Sequence, residues 1–88
     1  PQHQEVMRAQ VSLALDNLEA VLKAADMGLA DVIRLGLFVT DMDEALKNFD
    51  ILGARFGPAG VAPPMTPLGV TQLVMPPLMI EIEATAAD

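Results

Sequence analysis

Two acidic residues, Glu81 and Glu83, alternate with apolar neighbours in Met79-Ile80-Glu81-Ile82-Glu83-Ala84. A carboxylate set in a cleft can act as a general base or hold a water for attack on a substrate. The same alternation also describes the solvated face of an edge strand, so both accounts of Glu81 stay open. Further upstream, Pro63-Pro64-Met65-Thr66 sets a thioether among prolines and a hydroxyl. Met65 has neither charge nor strong donor. It suits contact with a less polar or uncharged ligand, or it fills a gap in a loop. The remaining chemistry-bearing residues are less promising. Asp41, Asp43 and Glu44 lack the ligand spacing of a calcium loop and fit a helix start better. Gly57-Pro58-Ala59-Gly60 lacks the lysine and hydroxyl of a phosphate loop and is expected to be a turn. Ser12 is the only serine and no histidine neighbours it, so a serine triad has no support. His3, close to the N-terminus, is expected to be exposed and without function. One histidine and no cysteine predict no metal centre, and nothing implies a cofactor.

The elements that must position these residues follow from periodicity. Residues 4–25 predict a helix, with Met7, Val11, Ala14, Leu15, Leu18, Val21, Leu22 and Ala25 on one face. Glu19 and Lys23 are placed to pair along it, and Asp26-Met27-Gly28 ends it. Residues 31–40 form a nearly continuous apolar strand broken by Arg34 and Gly36, as expected of a central strand covered on both faces. Gly36 could mark a close approach by another element. Asp41 caps a second helix that runs to about residue 56, with Met42, Ala45, Leu46, Phe49, Leu52 and Phe56 as its apolar stripe. Residues 57–67 predict a loop, and strands follow at about 68–74 and 78–86. The expected class is α+β, with two helices on one face of a mixed three-stranded sheet.

The chain has 88 residues, which predicts one domain over residues 1–88. So small a body has a thin stability margin and usually needs disulfides, metals or self-association. Without cysteine, self-association is the remaining route, and 52% hydrophobic content with only three aromatic residues supports it. The formal net charge is −7, and the basic residues Arg8, Lys23, Arg34, Lys47 and Arg55 are scattered. That argues against nucleic acid, which requires phosphate neutralisation, and against anionic membranes. No apolar run reaches membrane length and no signal peptide is evident, so a cytoplasmic location is expected.

The order and spacing of several short segments resemble the Rid proteins, the YjgF family of reactive-intermediate deaminases. They are Leu15-Asp16-Asn17-Leu18, Asp31-Val32-Ile33-Arg34 with Leu37-Phe38-Val39, Pro63-Pro64-Met65-Thr66, Leu68-Gly69-Val70-Thr71-Gln72-Leu73 and the Ile80-Glu81-Ile82-Glu83 stretch. The resemblance implies the chorismate-mutase-like Rid fold and a homotrimer whose sheets curve into a central barrel. Small metabolites would sit in the clefts between its subunits. It also implies additional strands ahead of the first helix, absent from this sequence, so the domain is expected to be N-terminally incomplete. In the family a Pro-x-Arg-Ser/Thr stretch grips a substrate carboxylate, and here Met65 takes the arginine's place. The resemblance thus assigns Pro64, Met65, Thr66 and Glu81 to ligand binding, with Glu81 the candidate catalytic group. It implies a metabolite-binding protein without the family's imine deaminase activity. The alternative is an enamine/imine deaminase, of the 2-iminobutanoate/2-iminopropanoate type, or a related hydrolase using Glu81. A third possibility is an interaction module whose cleft goes unused.

Overall fold

Met7, Val11, Leu15 and Leu22 recur at helical steps, and all four are buried. They form the inner stripe of α1 (Gln2–Ala24), which packs on a sheet. The computed structural model describes residues 2–87, with side chains from Val6 onward; the side chain of His3 lies outside the described ones. After α1 come β1 (Val32–Val39), α2 (Met42–Leu46), α3 (Asp50–Phe56), β2 (Met65–Gly69) and β3 (Ile80–Ala86). Short 3-10 turns at Leu29–Asp31 and Gly57–Ala59 join them. The stripe of α1 is narrower than the periodicity predicts: Val21 is 68% exposed and Ala25 is exposed as well. The helix ends in a Schellman-type cap. Asp26 adopts φ 63°, Met27 N–H donates to Leu22 O at 2.8 Å and Asp26 N–H donates to Lys23 O at 3.0 Å.

The expected α+β class holds. The sheet is mixed, in the order β2-β1-β3, with β1 parallel to β2 and antiparallel to β3. The helices cover one face only. Leu35, Leu37 and Val39 point into the core they share with Leu52, Phe56 and Ile80. The other face of β1, expected to be covered too, carries exposed Arg34 with half-buried Gly36 and Phe38. A register shift between Val32 and Arg34 turns Val32 into the core and Ile33 outward.

Two further expectations change. The single helix predicted after Asp41 is two. Asp41 does cap, accepting from Glu44 N at 3.1 Å. The helix then breaks because buried Asn48 donates through Nδ2 to Glu44 O at 2.8 Å, occupying a carbonyl that would otherwise serve a continuing turn. Arg8 of α1 holds Asn48 there, donating from Nη1 to Oδ1 at 3.1 Å. The strand predicted at residues 68–74 begins instead at Met65. Pro67 counts against a strand in sequence, but β2 is an edge and needs no donor on its free side. Residues 70–79 form turns and bends before β3. Gln10 of α1 pins the end of that segment, donating to Pro77 O at 3.0 Å and accepting from Met79 N.

Candidate functional site

Side chains along a strand alternate between faces, and residues paired across a sheet share a face. On the face left open by the helices, three rows cross the sheet. Arg34 stands beside Thr85, Gly36 lies between Thr66 and Glu83, and Phe38 lies between Leu68 and Glu81. Arg34, Gly36, Phe38, Thr66, Leu68, Glu83 and Thr85 enclose a hollow of about 110 Å³. Its floor is Gly36, where a Cβ would meet Phe38 Cε2 at 3.6 Å and Glu83 Cβ at 3.7 Å. The neighbours of Gly36 on this face are thus side chains of its own sheet.

On the helix-covered side, a second hollow of about 170 Å³ is lined by Leu35, Leu52, Phe56, Val61 and Met65, among others. No ionisable side chain lines it. A third space of about 490 Å³ runs between α1 and the free edge of β3, along Leu13, Leu18, Val21, Ile80, Glu81 and Ile82.

These positions divide the residues singled out in the sequence. Met65 pairs with Leu35 and therefore faces the helix side, where it is 43% exposed. Thr66 pairs with Gly36 and faces the open side. Glu81 shares that side, exposed beside Phe38. Pro64 contributes its carbonyl to the sheet, accepting from Leu35 N at 2.9 Å. The sheet itself thus stands between Met65 and the pair Thr66 and Glu81. Within one chain these residues do not form a single pocket.

The arginines divide in the same way. Arg8 holds Asp50 through two bonds, Nη1 to Oδ1 at 3.0 Å and Nη2 to Oδ2 at 3.2 Å. This hydrogen-bonded pair pushes the Asp50 carboxyl below its usual range and raises Arg8. Arg55 binds Glu19, which raises its own pKa, and lies 2.9 Å from Asp16 Oδ1. Glu19 therefore pairs with α3 rather than with Lys23. Both arginines are ties between helices. Arg34 has no ion pair among the described residues. Sequence patterning had given no reason to place it in a pocket. The available signal was its position as the one charge inside an apolar central strand.

A family model described as Endoribonuclease L-PSP matches residues 2–88. The chain is 34% identical over 83 residues to the RutC family protein PH0854 of Pyrococcus horikoshii, an alignment covering 91% of this chain and 61% of that protein. Among solved structures it is similar to Rv2704 of Mycobacterium tuberculosis, a member of the YjgF/YER057c/UK114 family. That match has 35% identity and a TM-score of 0.74, covering 82% of this chain and 59% of the other. It is also similar to E. coli TdcF, solved with bound serine. There the identity is 26% and the TM-score 0.81, covering 97% of this chain and 64% of the other. The chain spans about three-fifths of the length of these relatives. It belongs to the Endoribonuclease L-PSP family, the Rid/YjgF proteins.

Proposed function

We propose that this family member binds a small, weakly polar metabolite beside Met65, as a cytoplasmic homotrimer without the family's imine deaminase activity. The observation that carries this reading is the hollow against Met65, whose lining of Leu35, Leu52, Phe56 and Val61 supplies no cation. An arginine fork grips a carboxylate through paired charged hydrogen bonds. A thioether offers contact and polarisability instead. The bound serine of TdcF supports small-molecule binding by this fold. Self-association is supported by exposed Leu13, Val21 and Leu68, and by a sheet whose edge strands β2 and β3 pair only with β1. Copies meeting along those edges would place clefts beside Met65. The family's name denotes a ribonuclease, but a net charge of −7 opposes a phosphate backbone.

A thermal-shift screen of keto acids, imine precursors and uncharged metabolites tests the proposal. Uncharged compounds should raise the melting temperature, and one present at a hundredfold its dissociation constant adds about 2.7 kcal/mol. Met65→Arg should move the preference toward carboxylates. Family-like turnover of 2-iminopropanoate by the unaltered chain would overturn the reading. It would favour the second one, in which Glu81, exposed on the open sheet face, anchors the attacking water. Glu81→Gln should then abolish that turnover. A monodisperse single subunit in light scattering would refute the trimer.

A further inference from the structure

We propose that the hollow beside Met65 takes a single aromatic ring, so that its ligand is an uncharged monocyclic aromatic compound, with Gly53 keeping the entrance open. This inference rests on the metabolite-binding reading above and names the chemical class for that same site. The hollow lies on the helix-covered side of the sheet, so closure of the other face into a barrel leaves it in place.

Size sets the first limit. The hollow holds about 170 Å³, and an engineered apolar cavity of about 150 Å³ takes up benzene. One six-membered ring therefore fits, and little more. The lining sets the second limit. Leu35, Leu52 and Phe56 are buried and form the inner wall, while half-buried Val61 and exposed Met65 form the outer one. A charge brought against this lining would lose water and gain no partner. Arg55, the one cation on α3, is already tied to Glu19 and Asp16. The ligand thus buries an apolar part and keeps any polar substituent on the solvent side.

Two side chains favour a ring over an aliphatic group of equal size. Phe56 offers an aromatic surface for an offset or edge-on pair. The Met65 sulfur is polarisable, and thioethers gain from contact with aromatic rings. Gly53 supplies a separate observation. It lies in the middle of α3, where glycine weakens a helix. Close packing does not require it, since a Cβ there would meet nothing within 4 Å. Gly53 is exposed and borders the hollow, so its missing side chain leaves room for entry.

Chemical-shift titration of the full chain with benzyl alcohol, cyclohexylmethanol and benzoate tests the proposal, read at the amides of Gly53, Gly57 and Met65. Benzyl alcohol should move these amides saturably, and benzoate should bind about tenfold more weakly or worse. Met65→Leu keeps an apolar wall of similar size and removes the sulfur. It should lower the affinity for benzyl alcohol relative to cyclohexylmethanol by roughly two- to tenfold. Gly53→Leu puts a better helix former into α3. The fold should therefore persist while the entrance fills and benzyl alcohol weakens by about tenfold or more. An unchanged ratio in Met65→Leu, or undiminished benzyl alcohol binding in Gly53→Leu, would overturn the ring assignment alone. Saturation by cyclohexylmethanol but not by benzyl alcohol would do the same, and the preference for uncharged ligands would stand. Benzoate binding as tightly as benzyl alcohol would overturn the ring assignment together with the reading it rests on.

Discussion

The two faces of β1 have opposite characters although they alternate within eight residues. Toward the helices, Leu35, Leu37 and Val39 are fully buried and form a continuous core with α1 and α3. Away from them stand Arg34, Gly36 and Phe38, beside Thr66, Leu68, Glu81 and Glu83 of the flanking strands. One face uses its side chains for exclusion of water, the other leaves charges and a bare backbone strip within reach of solvent. Core packing and exposed polar groups are therefore carried by different residues of one strand, so the second can be altered while the first is kept.

The largest expected effect breaks the buried face. Leu37→Ala should lower unfolding free energy by about 2–5 kcal/mol. Ile33→Ala, at a side chain 54% exposed, should stay within about 0.5 kcal/mol. Denaturant titration of both variants decides it, and equal losses would erase the distinction between the faces. An intermediate effect concerns the polar element of the same layer. Asn48→Ala removes a buried amide that binds Arg8 and the Glu44 carbonyl, and should cost about 1–3 kcal/mol. A neutral result by the same titration would mean that the break between α2 and α3 needs no side chain to hold it.

The smallest effect belongs to the exposed rim. Arg8 holds Asp50 below its ordinary value of 3.8. The folded chain thus binds fewer protons than the unfolded one near that pH, and stability falls as pH drops through it. The contribution is present above 3.8 and disappears below the depressed folded value. Asp50→Asn should flatten that acid limb in pH-dependent denaturant midpoints. An unchanged limb would remove the pair from the account.

Local signals were legible in the sequence. The Asp41 cap needs only Glu44, three residues on, and the left-handed turn at Asp26 follows from its position after a finished stripe. The burial of Met7, Val11, Leu15 and Leu22 follows from spacing alone. Long-range placement was not legible. Asn48, at the break, is held by Arg8, forty residues away. The strand at Met65 requires knowing that β2 lies at an edge, where Pro67 is tolerated. The candidate site suffered most, because the strand order β2-β1-β3 decides which residues meet. Thr66 and Glu83 converge on Gly36 only because β1 lies between their strands. Met65, adjacent to Thr66 in sequence, is sent to the opposite face by the pleat.

The amide of Gln10 behaves toward Pro77 and Met79 as a neighbouring strand would, giving one donor and one acceptor to a segment not yet in the ladder. The first helix therefore helps to fix the segment that leads into the last strand. Replacing that amide by a carboxylate would turn a matched contact with the Pro77 carbonyl into a repulsion. A substitution more than sixty residues away in sequence would then loosen the entry to β3.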